Sequence, residues 1–154
     1  MPYERLFRRT GLAGNYPATV AEVLDPAMKF VPAALVAVRE FRRSKPWRGT
    51  VAERRAKFVR LNQALALAYG IPRPSLDFRG VEAGVHSGHS SYVRGSNTII
   101  LRGRLSVVTY LHEFAHARGA DERQAVRWSI NLFRRCFPRS FARCRQDGHT
   151  LIRD

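Results

Sequence analysis

The sequence predicts an α+β fold, and three observations predict it. Apolar residues recur at helical spacing as far as Gly70, a short β-branched stretch with a turn follows, and helical spacing returns from Leu105. A chain of 154 residues suffices for one domain and leaves little for a second. Residues 1–154 are therefore read as one unit, with a helical N-terminal part (1–48) and a basic tail (139–154).

Between Thr19 and Phe41, Val20, Val23, Leu24, Met28, Val31, Leu35 and Val38 follow a helical period that Pro26 and Pro32 break or bend. Ser44 to Gly49 reads as a linker. Thr50 and Glu53 form an S/T-x-x-E capping box, which predicts a helix from Val51 to Tyr69. Its inward face is expected to carry Ala52, Phe58, Leu61, Leu65 and Leu67 or Ala68, with Gly70 and Pro72 closing it. Leu76 to Phe78 is a short strand, followed by a Gly/His/Ser-rich stretch from Gly84 to Ser91. Tyr92-Val93 and Thr98 to Leu101 flank Arg94 to Asn97, a hairpin signal, so the sheet is expected to be small and mostly antiparallel. Leu105, Val108, Leu111 and Ala115 restore the helical period, and a further helix is expected from about Asp121 to Phe137, stopped by Pro138.

Composition narrows the class. With 45% hydrophobic and 25% charged residues the chain is globular rather than disordered. The longest apolar candidate, Phe30 to Val38, falls far short of the ~18 residues of a membrane span. Met1 to Thr10 is basic with no apolar stretch behind it, so no secretory signal is expected. Two cysteines, Cys136 and Cys144, are too few for a disulfide framework. These features together predict a cytoplasmic protein with no membrane partner. The net charge is +15, and 24 of the 27 basic residues are arginine. Such an excess suits nucleic acid or another polyanion, and it also follows from GC-rich coding.

Residues 111–122 read Leu-His-Glu-Phe-Ala-His-Ala-Arg-Gly-Ala-Asp-Glu, which contains H-E-x-x-H at His112, Glu113 and His116. On a helix, positions i and i+4 share a face, so two imidazoles can grip one Zn²⁺. Glu113 is rotated from that face, where its carboxylate can take a proton from water beside the ion and act as general base. The motif sits in an apolar helical run, Val107 to Leu111, without Pro or Gly. A third ligand leaves one open position for water. Gly119 can end the helix in a left-handed conformation, bringing Asp121 or Glu122 of the next helix toward the histidines. The preferred reading makes Asp121 the cap and Glu122 the ligand.

Residues 112–138 resemble the active-site helix pair of the ImmA/IrrE-type minigluzincin metallopeptidases. There H-E-x-x-H is followed by a helix bearing E-x-x-A-x-x-[FW]-[AS], which here reads Glu122-Arg123-Gln124-Ala125-Val126-Arg127-Trp128-Ser129, with Leu132, Phe133 and Pro138 beyond. The spacing from His116 to Glu122 is shorter than is usual in that family. It is similar to the metzincin pattern H-E-x-x-H-x-x-G-x-x-[HD], with Gly119 in the glycine's place, although the chain's methionines, Met1 and Met28, both precede the site. The resemblance implies a small zincin fold with one Zn²⁺ on His112, His116 and Glu122. It also implies an edge strand, Thr98 to Leu101, overhanging the cleft, and cleavage of an intracellular protein or peptide.

The other histidines, His86, His89 and His149, are candidates for lining the cleft or steadying the transition state, or else lie in solvent. Cys136, Cys144 and His149 lack the paired spacing of a zinc knuckle. From Arg123 to Gln146 the chain has seven arginines and no acid. Arg123, Arg127 and Arg134 share a helix side, and Arg135, Arg139, Arg143 and Arg145 extend the run with Phe137 and Phe141 interleaved. That pattern suits phosphate contacts, or simply a solvated face. DNA-directed zinc proteases of the SprT type are similar in combining basic character with a zincin core. The function expected is thus a zinc peptidase, with a basic nucleic-acid-binding protein carrying a structural or latent metal site as the alternative.

Overall fold

Proline placement shapes the N-terminal helices. The structure is a computed structural model describing residues 20–80, 90–147 and 150–153, with side chains described for 20–80 and 90–144. Its first turn of helix, α1, spans Val20–Val23, and α2 spans Pro32–Arg43 with Pro32 in the first turn, where a missing N–H leaves nothing unpaired. The predicted apolar period is therefore split into two helices at Pro26 and Pro32. α3 runs Val51–Tyr69. Its capping box is formed in both directions: the Glu53 N–H donates to Thr50 Oγ1 at 3.1 Å, and the Thr50 N–H donates to Glu53 Oε1 at 2.7 Å. Gly70 ends it at φ +63°, a conformation that suits glycine. Phe58, Leu61 and Leu65 are buried, and Ala68 packs at the edge of the core. Ala52 is exposed and Leu67 is 84% exposed, because two residues beyond Leu65 the helix has turned by about 200°.

The sheet departs from expectation. β1 (Ser75–Arg79), β2 (Ser91–Val93) and β3 (Thr98–Arg102) form one sheet in the order β1-β3-β2. β1 pairs with β3 in parallel, from Ser75 opposite Thr98 to Arg79 opposite Arg102. β2 pairs with β3 antiparallel through the predicted turn. The sheet is thus evenly mixed, and β3 is its centre rather than its edge. β3 takes the centre because it carries the most apolar strand sequence: Ile99 and Leu101 are buried on the face toward the helices. The outer strand reached by the hairpin is β2, and both β2 and β3 lie against α4 (Val107–Ala117).

α5 spans Glu122–Cys136. Pro138 does not merely stop it but opens α6 (Pro138–Arg143), which leads into a two-stranded antiparallel pair, β4 (Cys144–Asp147) with β5 (Thr150–Arg153). The described residues of the basic tail, 139–147 and 150–153, are therefore structured in their backbone. Residues from α1 through α6 and Cys144 share one apolar core. No described helix is long and apolar enough to cross a membrane.

Asn131 joins the two ends of this core. Its Oδ1 accepts from the Asp25 N–H at 2.7 Å, and its Nδ2 donates to the carbonyls of Val23 at 2.8 Å and Arg127 at 2.7 Å. Asn131→Ala leaves buried backbone groups unpaired, so a loss of about 2–3 kcal/mol is expected in urea unfolding. A change below about 0.5 kcal/mol, the range of ordinary surface substitutions, would show that water satisfies these groups equally well.

Candidate metal centre

α4 begins where Ser106 Oγ accepts from the Thr109 N–H at 3.3 Å, and it is buried through most of its length. Tyr110 lies in the core, its hydroxyl donating to Asn62 Oδ1 at 2.8 Å, and Phe114 stacks on Trp128 of α5 with centroids 6.1 Å apart. These contacts fix the rotation of α4 and so the direction of its polar residues. Ala125 and Ser129 are fully buried where α5 packs against it, and small side chains there allow close approach.

The turn after α4 is built by Gly119 at φ +94°. The Gly119 N–H donates to the His116 carbonyl at 2.9 Å and the Ala120 N–H to the Ala115 carbonyl at 3.0 Å, closing the helix end. Asp121 then caps α5: its Oδ1 accepts from the Gln124 N–H at 2.7 Å, while Gln124 Oε1 accepts from the Asp121 N–H at 2.9 Å. With Asp121 so engaged, Glu122 is the first helical residue of α5.

Three side-chain atoms converge across this turn. Glu122 Oε1 lies 3.0 Å from His112 Nε2 and 2.8 Å from His116 Nε2, and the two nitrogens are 3.2 Å apart. Donor atoms of His112, Glu113 and His116 also lie within 4.8 Å of one another. His112 and Glu113 are buried, at 5% and 7% exposure, while His116 and Glu122 are partly open. The group can hold a metal ion.

The protons argue the same way. His116 Nδ1 faces the Ala120 carbonyl at 2.9 Å, an acceptor only, so Nδ1 carries the hydrogen. In the neutral ring Nε2 is then a bare lone pair aimed at a carboxylate oxygen, an arrangement that needs a cation between them. A proton can fill that need. Burial opposes charge on His116, but the bonds to Glu122 and Ala120 and the charges of Glu113 and Glu122 outweigh it and raise its pKa. Burial likewise pushes Glu122 up, yet the hydrogen bonds and charges of His112 and His116 bring it down to about 2. A metal ion fills the same need with both rings neutral. In a tetrahedral site with bonds of about 2.0–2.1 Å, ligand atoms stand about 3.3–3.4 Å apart, so the three atoms, now 2.8–3.2 Å apart, would open by a few tenths of an ångström to take the ion. His112 Nδ1 is buried with no hydrogen-bond partner among the described residues.

The Ala120 carbonyl is the participant that reading side chains misses. A backbone acceptor leaves no mark in the sequence, and the only pointer to it is the glycine that turns the chain. Gly119 has open space where a Cβ would stand, so the penalty of Gly119→Ala is conformational. That variant is expected to lose about 1 kcal/mol of stability and to bind metal more weakly as the Ala120 carbonyl shifts off His116. Thermal unfolding and competition with a chromogenic chelator measure the two effects. Unchanged metal affinity would show that the carbonyl does not orient the ring.

Other candidate residues are dispersed. His86, His89 and His149 lie outside the described residues, as does the side chain of Arg145. Arg127 pairs with Asp25 at 2.6 Å, and Arg135 donates to the Pro26 and Met28 carbonyls at 3.1 and 2.9 Å. Both tie α5 to the segment between α1 and α2. Arg134 lies over the Phe141 ring at 5.7 Å. Arg123, Arg139 and Arg143 are exposed. The arginines from Arg123 to Arg143 therefore do not form one continuous open face. No protein-family model, curated protein or solved structure matches the chain.

Proposed function

We propose that the chain is a zinc-dependent peptidase acting on a protein or peptide substrate. The observation that carries this reading is a division of labour within one turn: three donor atoms converge, and a fourth polar side chain, Glu113, stands buried beside them. A purely structural site has no use for that carboxylate. His112, His116 and Glu122 would hold the ion. Zinc in such a site lowers the pKa of a water molecule toward 7 and polarises a carbonyl. Glu113 accepts the proton of the attacking water and returns it to the departing amine nitrogen as the peptide C–N bond breaks. Glu113 lies beside the donor set, and its burial limits the bulk water that could compete for that proton.

A second reading, a nucleic-acid-binding protein whose metal is structural, draws on the net charge of +15. The two readings part at the fourth ligand. X-ray absorption on zinc-loaded protein is expected to give two imidazoles, a carboxylate and one exchangeable water oxygen. A fourth protein ligand in place of water would overturn the peptidase reading. Hydrolysis of a proteome-derived peptide library is expected to disappear with a chelator and return with added Zn²⁺.

A further inference from the structure

The C-terminal half of α2 packs on the junction of α5 and α6 through Phe41 and Phe137, whose ring centroids are 6.4 Å apart at 68°. Exposed arginines border that seam from both sides. Arg42 follows Phe41 directly, Arg39 lies three positions earlier on the same stripe of α2, and Arg139 comes two positions after Phe137. A fourth guanidinium, Arg135, is fixed in place by the Pro26 and Met28 carbonyls and lies 5.4 Å from the Phe30 ring centroid. Three of the four, Arg39, Arg42 and Arg135, meet around Cys136, and Arg139 lies beyond it at the start of α6. Burial raises its thiol pKa, and Arg39, Arg135 and Arg42 act on it in the opposite sense. The nearby carboxylates are already engaged: Glu40 with Arg43 at 2.6 Å and Asp25 with Arg127. No acidic residue occurs from Phe41 to Ala52 or from Arg123 to Gln146.

We propose that Arg39, Arg42, Arg135 and Arg139, brought together from α2, α5 and α6 across the Phe41–Phe137 seam, form a docking surface for the phosphate backbone of a nucleic-acid duplex. The chemistry favours that partner. All four groups are guanidiniums. The exposed Arg39, Arg42 and Arg139 can each present a planar fork to two oxygens of one phosphate, while Arg135, held through Nη2 by two carbonyls, contributes its remaining N–H groups and its charge. None of them reads a base edge from this arrangement, so binding tracks backbone rather than sequence. The surface is invisible in the linear arginine run, half of it being supplied by a helix about a hundred positions away in the chain.

The test is the salt dependence of binding to a short fluorescein-labelled DNA duplex of mixed sequence, read by anisotropy on the full chain. Four phosphate contacts predict a slope of log K against log salt of about −3.6. Changing Arg39, Arg42 and Arg139 together to Gln should flatten it by about 2–3 units. A control triple with the same charge loss, Arg60→Gln, Arg73→Gln and Arg94→Gln, should change it by less than about one unit. The triple Arg→Lys version of the first set keeps charge and should retain the slope, which separates lost contacts from lost fold, and single Arg139→Gln should flatten it by about 0.9. Equal flattening by both Gln triples would reduce the effect to net charge and overturn the surface. So would a parental slope near zero, or binding to phosphatidylserine vesicles without binding to the duplex. Zinc content is not a readout here, so the result is independent of the peptidase reading.

Discussion

His112→Ala or His116→Ala is expected to drop metal content from about one equivalent per chain to below about a tenth, measured by mass spectrometry on unchelated protein. Each change leaves two donors where a tight site needs three, and the lost bond was part of the binding free energy. Far-UV circular dichroism should be unaltered, because the α4–α5 contact rests on Phe114, Trp128, Ala125 and Ser129. Glu122→Gln is expected to weaken metal binding strongly, since it replaces an anion 2.8 Å from His116 Nε2 by a neutral amide. Asp121→Asn retains a side-chain oxygen for the Gln124 N–H and should leave affinity unchanged. The reverse order of these two variants would make Asp121 the ligand. Full metal content in the His116 variant would remove the site altogether.

Glu113→Gln is expected to keep metal and fold while lowering hydrolysis by about 10²–10⁴-fold. The amide is close in shape to the carboxylate but cannot accept the proton of the attacking water. KM should move little, because in the proposed mechanism Glu113 acts on the reacting atoms and not on the body of the substrate. Turnover equal to the parent on any cleaved peptide would exclude Glu113 as the base.

What the sequence discloses depends on how local the physics is. The Thr50–Glu53 box, the left-handed Gly70 and Gly119, and the capping role of Asp121 are all settled within a few residues, and each is legible from its neighbours in the chain. The convergence of His112, His116 and Glu122 is legible for the same reason, being a matter of helix phase and one turn. Strand direction is not. Nothing in Leu76 to Phe78 or Thr98 to Leu101 says that β1 and β3 run parallel, because that is decided by how the intervening chain returns and by which strand has two faces to bury. The arginines show the limit most clearly. Arg127 and Arg134 share a helix side by arithmetic, yet one is neutralised by Asp25 and the other lies over Phe141, partners supplied by tertiary contact.

The donor atoms that converge on the α4–α5 turn belong to residues separated by only 10 and 6 positions. Closing loops that short removes little conformational freedom from the unfolded chain, so an ion that ties them acts weakly as a cross-link. The fold is held instead by contacts distant in sequence, such as Asn131 with Val23 and Asp25. Assembly of the ligand set is accordingly a low-contact-order event, on the timescale of helix formation and a single turn, whereas joining α1 to α5 waits on chain closure over more than a hundred residues. Loss of the ion should therefore empty a pocket in an otherwise native protein, and refolding rate should be nearly indifferent to whether metal is present in the buffer.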